Sequence, residues 1–329
     1  MSKQSSLRSH PISRFSQAAG QLFDENGSFG SGMLISPKLF LTAGHCVLSE
    51  AGEYVFGADG EEEYKRTKPL VAKTKEELMR MSKKEMAAFM AQQTFEYNPN
   101  VEMEDVGGES VQETNQSLNV SFYDEDGEKK VSVGGKVLCA VYNDDYSLDF
   151  ALIELEEPVD DIETPELSTQ TDLSRGFIFH YPQGGERTLS VAQIMRPVST
   201  SHEFKLTYRA DTKDQSSGSS VLSESGKIIG VHTDRDLLAE EIAALATDDE
   251  AEDLEAIEKQ FSETDGKFVH GVPIVEILNF RSKATEMFIN ALASNGVKID
   301  GRVPRPVSYA SQTAASQLVQ QQQQSASFN

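Results

Sequence analysis

Three residues that lie far apart in the sequence carry side chains that could act together in nucleophilic catalysis. His45 follows the apolar run KLFLTA, Asp149 opens the apolar run DFALIEL, and Ser217 precedes a glycine in a stretch rich in turn residues. A serine hydroxyl is a weak nucleophile at neutral pH, so it needs a base within hydrogen-bond reach and a carboxylate that orients this base. Each residue alone is more often structural, and only the joint pattern favours catalysis.

The apolar runs around these residues are short and are broken by Gly, Asn and Pro, which is typical of strands in a β-sandwich or barrel. In the first half we expect the strands AAGQLF, GSGMLIS, KLFLTA, KVLCAVYN and DFALIEL, and a hairpin NVSFYDEDGEKKVSV that turns at Asp126–Gly127. In the second half we expect GFIFHYP, TLSVAQIM, FKLTYRA, SVLSES, KIIGVHT and KFVHGVPI. The three candidate residues therefore lie beside predicted strands.

Two segments interrupt the strand pattern. Residues 61–117 are predicted to begin as an amphipathic helix and to continue as an acidic loop. Residues 234–266 are strongly acidic, which predicts a solvated helix pair or a disordered segment. VEILNFRSKATEMFINALAS predicts a helix near the C-terminus. We expect residues 1–15 to be disordered and residues 301–329 to form a Gln-rich, low-complexity tail.

Charge and composition limit the partners of the chain. Its 329 residues carry a formal net charge of −23, so nucleic acid is not an expected partner. No apolar run reaches the about 18 residues that a membrane-spanning helix needs. The two cysteines, Cys46 and Cys139, do not make a disulfide framework, and the N-terminal residues lack the apolar core of a secretory signal. We expect reduced thiols and a cytoplasmic protein, with export by a signal-less route left open.

The sequence predicts neither a metal ion nor a cofactor. The histidines do not show the spacing of zinc ligands, and neither cysteine belongs to a C-x-x-C pair. The cluster of Asp144, Asp145 and Asp149 could suggest calcium, but it lacks the glycine and the spacing of a calcium-binding loop.

The segments that carry the three candidate residues resemble the signatures of chymotrypsin-fold serine peptidases, and they follow that family's order of His, Asp and Ser. These segments are TAGHC at 42–46, DFAL at 149–152 and SGS at 217–219. GVHT at 230–233 and GVPI at 271–274 are similar to later strands of the bacterial trypsin-like peptidases that include the glutamyl endopeptidases. The resemblance covers roughly residues 16–280.

This resemblance implies a mostly β fold, a chymotrypsin-like double β-barrel with inserted α-helices and a C-terminal helix. The peptidase domain would span residues 16–300, with one barrel at about 16–156 and the other at about 170–275. The implied activity is that of a serine endopeptidase that forms an acyl-enzyme in the cleft between the barrels. Its substrates would be proteins or peptides, and it would need no cofactor or metal.

The resemblance also implies a role for each site residue. His45 would take the proton of Ser217 Oγ and return it to the leaving amine, while Asp149 would orient His45. The backbone N–H groups of Gln215 and Ser217 would form the oxyanion hole. Thr233 would lie where the family has a serine near the buried aspartate.

Three positions depart from the family pattern. Gln215 stands where the family usually has a glycine, whose backbone conformation other residues adopt only at a cost. Whether the oxyanion hole forms in the resting protein without a partner is therefore open. Ser216 replaces the aspartate that trypsin-like zymogens pair with a freed N-terminus, so we do not expect activation by that route. Cys46 lacks the disulfide partner that the family has about 16 residues earlier.

The specificity residues allow two readings. His232 and Thr212 match the positions with which glutamyl endopeptidases hold an acidic side chain, which favours Glu or Asp before the scissile bond. Asp211 lies six residues before Ser217, where trypsin has its lysine-binding aspartate. We favour the acidic preference. His232 could also be a buried structural histidine.

The alternative function is a catalytically silent peptidase fold that acts as a protein-binding module. Gln215 is the main argument for it, and the presence of all three triad residues is the main argument against it. The acidic insertion 234–266 could gate the cleft, or recruit a basic partner through long-range electrostatic steering.

Overall fold

The strands of the protein form two barrels, followed by two helices. The computed structural model describes residues 11–49, 51–56, 62–66, 118–143, 148–194, 206–236, 267–280 and 282–308. Its strands are β1 (Ala19–Asp24), β2 (Gly27–Ser36), β3 (Leu39–Thr42), β4 (Gly52–Phe56), β5 (Glu62–Arg66), β6 (Leu118–Tyr123), β7 (Lys129–Tyr142), β8 (Asp149–Leu155), β9 (Arg175–His180), β10 (Thr188–Ile194), β11 (Leu206–Ala210), β12 (Ser220–Leu222), β13 (Ile228–Asp236) and β14 (Lys267–Pro273). The helices are α1 (Ile274–Asn279) and α2 (Lys283–Ser294), and short 3₁₀ helices cover Pro11–Ala18, Gly44–Cys46 and Pro182–Gly184.

The first barrel is antiparallel and has the strand order β7-β6-β1-β2-β3-β8. It closes because β7 also pairs with β8, with Ala140 opposite Ala151, and β4 and β5 extend the sheet from β7. The inward side chains are apolar and fully or almost fully buried. They include Leu22, Met33, Leu41, Val120, Phe122 and Leu152.

The second barrel is closed in the order β10-β11-β14-β13-β12-β9. It has an apolar centre of its own, which includes Ile178, Ala192, Tyr208, Val221, Ile229 and Val269. The predicted fold class, a mostly β double barrel with a C-terminal helix, is therefore confirmed. Within the described ranges, no helix is both long enough and apolar enough to cross a membrane.

Several predicted boundaries are wrong. Pro11–Ala18 is a 3₁₀ helix that buries Ile12 and Phe15, so the folded domain begins before residue 16. Glu62–Arg66 is a strand because its backbone pairs with β4, although its sequence favours a helix. The strand β13 continues to Asp236, into the predicted acidic insertion.

Two other predicted elements have a different extent. The second strand of the predicted hairpin and the predicted strand KVLCAVYN are one continuous strand, β7. The predicted C-terminal helix is two helices, since Phe280 has an extended backbone and Ser282 caps α2 by accepting a hydrogen bond from Thr285 N–H. Glu53 of β4 accepts a hydrogen bond of 2.6 Å from Ala284 N–H, which ties the start of α2 to the first barrel.

Candidate active site

The pairing of β3 with β8 brings His45 and Asp149 together. Thr42, the last residue of β3, lies opposite Ala151, so the residues just after β3 meet the start of β8, where Asp149 lies, at one end of the barrel. His45 Nδ1 lies 2.6 Å from Asp149 Oδ2. The other carboxylate oxygen, Oδ1, accepts a hydrogen bond of 2.9 Å from the backbone N–H of His45. The carboxylate therefore fixes both the ring and the backbone of the histidine.

Burial and charge act in opposite directions on this pair. The Asp149 side chain is fully buried, whereas the His45 side chain is 24% exposed. Burial lowers the pKa of His45, but the Asp149 carboxylate, together with Cys46, raises this pKa well above its usual value. Because Asp149 accepts the proton on Nδ1, the other ring nitrogen, Nε2, is the one that can accept a proton from a hydroxyl.

Ser217 lies in the Ser217 loop, residues 211–219, which connects β11 to β12. Its Oγ donates a hydrogen bond of 3.4 Å to the carbonyl oxygen of Thr233. The thiol of Cys46 contacts both residues, since its Sγ lies 3.9 Å from His45 Nε2 and donates to the backbone carbonyl oxygen of Ser217 at 3.7 Å. The fold thus brings the backbone of Ser217 close to the ring of His45.

Ser31 of β2 joins the Ser217 loop to the first barrel. Its N–H donates to Ser217 O at 2.9 Å, and its hydroxyl donates to Gln215 O at 2.8 Å. The same hydroxyl accepts a hydrogen bond of 3.1 Å from Tyr181 N–H. Ser31 was not among the predicted site residues, and the small residues around it in GSGMLIS are the sign in the sequence of a close backbone approach.

Gly218 shows how tightly this loop meets the first barrel. Its φ is +87°, and a Cβ built there would collide with Thr42 Oγ1 and with the carbonyl oxygen of Ser31. A residue with a side chain would therefore force the Ser217 loop away from β2 and β3.

Gln215 adopts the backbone conformation that a glycine would adopt. Its φ is +68°, in the left-handed region. For a residue other than glycine this conformation costs about 1–2 kcal/mol. The surrounding contacts of the loop hold it there, and among them is the hydrogen bond from the Ser31 hydroxyl to its carbonyl oxygen.

The orientation of two peptide groups decides where the N–H groups of the loop point. The carbonyl of Asp214 accepts a hydrogen bond of 2.7 Å from Gln183 N–H, and the carbonyl of Ser216 accepts one of 3.1 Å from the backbone of residue 219. In a trans peptide the N–H points away from the carbonyl. Within the described parts of the chain, the N–H groups of Gln215 and Ser217 donate to no other group. Both are therefore available to an external acceptor.

The predicted specificity residues have different surroundings. His232 is fully buried, and its Nδ1 lies 2.5 Å from the hydroxyl of Tyr208. Thr212 is also buried. Asp211, in contrast, is exposed, and its carbonyl oxygen accepts a hydrogen bond from Ser190. A carboxylate at the surface does not form the floor of a closed pocket.

Thr233 has its hydrogen-bond partners within the second barrel, and its predicted place near Asp149 stays a prediction. Its hydroxyl donates its single proton to the carbonyl oxygen of His270 at 3.0 Å, so it does not donate to Asp149. The contribution of Thr233 to the cleft is its carbonyl oxygen, which accepts the hydrogen bond from Ser217 Oγ.

Some predictions fall outside the described residues. They concern Asp144 and Asp145 of the calcium alternative, most of the insertion 61–117, the acidic residues 237–266 with their basic partner, and the tail from residue 309. Among the residues that the structure does describe, no three His, Cys, Asp or Glu side chains are grouped so as to hold a metal ion.

Two antiparallel six-stranded barrels with a His–Asp pair and a serine turn at their junction define the architecture of the chymotrypsin-like serine peptidases. Residues 30–231 match the trypsin-like peptidase domain, so the chain belongs to the trypsin-like peptidase family. The family implies a serine peptidase, a hydrolase that acts on protein. No curated protein sequence matches the chain.

Solved structures of several peptidases are similar to this chain. A Glu endopeptidase in complex with MPD is 15% identical, with a TM-score of 0.43, and the match covers 85% of this chain and 92% of that one. The thermostable serine protease AL20 from an extremophilic microorganism is 11% identical, with a TM-score of 0.43 and coverages of 79% and 92%. Deg5 is 16% identical, with a TM-score of 0.39 and coverages of 71% and 87%.

Proposed function

We propose that the protein is a serine endopeptidase that cleaves peptide bonds through an acyl-enzyme on Ser217. The observation that carries this proposal is the contact of 2.6 Å between His45 Nδ1 and the fully buried Asp149 carboxylate. A buried carboxylate in this position fixes the ring as a donor at Nδ1 and leaves Nε2 as the base. It also stabilises the imidazolium that forms when Nε2 takes a proton.

The proposed reaction has two halves. Ser217 Oγ attacks the scissile carbonyl carbon while its proton moves to His45 Nε2, and the tetrahedral intermediate collapses as His45 protonates the leaving amine. Water then attacks the acyl-enzyme with His45 again as the base, which releases the carboxylic acid and restores the serine. The N–H groups of Gln215 and Ser217, which have no partner within the described chain, support an oxyanion hole at this point.

One observation favours the alternative, a silent protein-binding module. In the resting protein the Ser217 hydroxyl donates its hydrogen bond to Thr233 O, at 3.4 Å, and not to His45. This hydrogen bond is long, and catalytic hydrogen bonds often form fully only when substrate is bound. The other argument for silence, Gln215, is weaker than the sequence suggested because its backbone has the left-handed conformation of a glycine.

A fluorophosphonate probe tests the proposal, because it labels only an activated serine. We expect labelling of the wild-type protein and none of Ser217→Ala. Ser225→Ala is the matched control, since Ser225 lies in the exposed turn between β12 and β13 and only touches the hydroxyl of Ser223. Labelling of Ser217→Ala would assign the nucleophile elsewhere, and no labelling of the wild type would favour the binding module.

We also propose a preference for Glu or Asp before the scissile bond, with His232 as its main determinant. The support is that the imidazole of His232 is buried and held by Tyr208, whereas the competing carboxylate of Asp211 is exposed. Removing one polar group that recognises a buried substrate group typically costs about 1.5–3 kcal/mol for a charged partner.

Paired substrates that differ only in Glu, Gln or Lys at this position test the preference. We expect His232→Gln to lower the ratio of Glu cleavage to Gln cleavage by roughly 10- to 100-fold, the equivalent of that loss. Asp211→Asn is the control and should leave the ratio unchanged. Efficient Lys cleavage that disappears in Asp211→Asn would contradict the proposal and support the basic preference.

A further inference from the structure

A chain of buried hydrogen bonds leaves the Ser217 loop, passes through His180 at the end of β9, and returns to the loop. His180 Nδ1 lies 2.7 Å from Ser216 Oγ, and His180 Nε2 lies 2.9 Å from Ser190 Oγ. Ser190 Oγ donates to the carbonyl oxygen of Asp211 at 2.6 Å. At the other end, Lys213 N–H donates to Ser216 Oγ at 3.1 Å. The loop is thus linked to β9 and β10 at two points.

The direction of each hydrogen bond in this chain follows from its ends. A carbonyl oxygen only accepts, so the Ser190 hydroxyl uses its proton on Asp211 and must accept from His180 Nε2–H. The Ser216 oxygen accepts from the backbone N–H of Lys213, and its own proton points to His180 Nδ1. The imidazole is therefore neutral and carries its proton on Nε2. In an imidazolium Nδ1 would also carry a proton, so the Ser216 hydroxyl would lose its acceptor.

This chain of hydrogen bonds ends at Ser216, between the two peptide groups proposed as the oxyanion hole. Ser216 separates Gln215 from Ser217, and its side chain points away from the cleft into the second barrel, where both Ser216 and His180 are buried. Hydrogen bonds that run in one direction through a buried region polarise and strengthen one another. A shift of Ser216 would turn the peptide groups on either side of it.

We infer that His180 is a positioning residue that holds Ser216 and so keeps the Gln215 and Ser217 N–H groups directed at the substrate, an inference that rests on the proposed function. His180 does not touch the reacting atoms. It acts as an uncharged anchor at Ser216, the position where the sequence lacks the aspartate of the trypsin-like zymogens.

Two substitutions of His180 separate this role from general packing. In His180→Asn the amide oxygen lies near the former Nδ1 and can still accept from Ser216. In His180→Gln the amide nitrogen lies near the former Nε2 and can still donate to Ser190, while the Ser216 hydroxyl loses its acceptor. Each variant removes one hydrogen bond of the same histidine, so both should lose similar stability.

The kinetic constants of the two variants should differ. A misplaced catalytic group or a lost oxyanion donor typically costs 10²-fold or more, so for a loosened loop we expect kcat of His180→Gln to fall by about 10- to 100-fold with KM within about 3-fold. We expect His180→Asn to keep kcat within about 5-fold of the wild type. Equal losses in the two variants, or wild-type kcat in His180→Gln, would overturn the inference.

If the His180 variants do not fold, Ser216→Ala and Ser190→Ala provide the same contrast from the partner side, with the larger loss of kcat expected in Ser216→Ala. Nitrogen-15 NMR of the His180 ring in the wild-type protein provides a readout that does not need activity. We expect a protonated Nε2 and an unprotonated Nδ1, and an imidazolium or the opposite tautomer would overturn the inference. No fluorophosphonate labelling of the wild type would instead overturn the proposed function, together with the catalytic consequence of the anchor.

Discussion

Replacing Gly218 by alanine tests whether the Ser217 loop lies as close to the first barrel as the structure shows. Gly218 and Gly127 have nearly the same backbone conformation, with φ of +87° and +85°. A Cβ on Gly127, in the turn between β6 and β7, would meet nothing within 4 Å. A Cβ on Gly218 would collide with Thr42 Oγ1 and Ser31 O and would lie 2.9 Å from Ala43 N.

The expected loss of stability follows from this difference. Both alanine variants lose about 1–2 kcal/mol of folding free energy because alanine must adopt a left-handed backbone conformation. Gly218→Ala adds the cost of overpacking a rigid region, typically about 1–3 kcal/mol, because two of the three close atoms belong to the backbone of the first barrel. We therefore expect a total of about 3 kcal/mol for Gly218→Ala and about 1 kcal/mol for Gly127→Ala.

Denaturant unfolding of the two variants measures the difference, and fluorophosphonate labelling of the folded proteins measures its effect on the site. We expect labelling of Gly218→Ala to be at least about 100-fold slower than in the wild type, because a displacement of about 1 Å at the nucleophile is enough for such a loss. Gly127→Ala should label at the wild-type rate. Equal stabilities and equal labelling rates in the two variants would refute the close packing of the loop on Thr42 and Ser31.

Two further predictions concern the His45 and Asp149 pair. In Asp149→Asn the amide can donate to Nδ1, which leaves Nε2 protonated and unable to act as a base. The labelling rate should therefore fall by about 10³- to 10⁴-fold. A loss below about 10-fold would mean that the carboxylate only positions the ring. Asp300→Asn, the same change at the surface, should label normally and serves as the control. Because burial lowers the pKa of His45 but the Asp149 carboxylate raises it well above its usual value, labelling should be lost as the pH falls, with a midpoint above about 6.5. A midpoint at or below that value would contradict the assigned electrostatics.

The sequence was sufficient for a mostly β fold and for the choice of candidate residues, while the double barrel was implied by the resemblance to chymotrypsin-fold peptidases. Short local signals carried both: the apolar run KLFLTA before His45, the apolar run that Asp149 opens, and the turn at Asp126–Gly127 that leads from β6 into β7. Strand period and turn chemistry are local properties, so they can be read without knowing the partners of a strand.

Elements whose conformation depends on a pairing or packing partner were not predictable in the same way. Glu62–Arg66 has a helix-forming composition, yet its backbone pairs with β4, which supplies the hydrogen bonds that it needs. Pro11–Ala18 lacks a strong sequence signal, yet Ile12 and Phe15 fill space in the core of the first barrel. His180 was one more histidine in a predicted strand until the fold placed Ser216 and Ser190 on either side of its ring.

The sequence therefore determined the identity and order of the residues that can do chemistry, since it specifies each side-chain type and the apolar run next to it. The availability of the Gln215 and Ser217 N–H groups was decided only by the tertiary structure. A peptide group is oriented by whatever hydrogen-bonds to its carbonyl. Gln183, in the turn after β9, donates to Asp214 O and so orients the Gln215 N–H, while the Ser31 hydroxyl of the first barrel holds the next carbonyl of the loop, that of Gln215. Gln183 is 31 residues away from Asp214, and Ser31 is 184 residues away from Gln215. The contact of Gln183 with Asp214 forms only when the second barrel closes, and the contact of Ser31 with Gln215 only when the two barrels pack against each other.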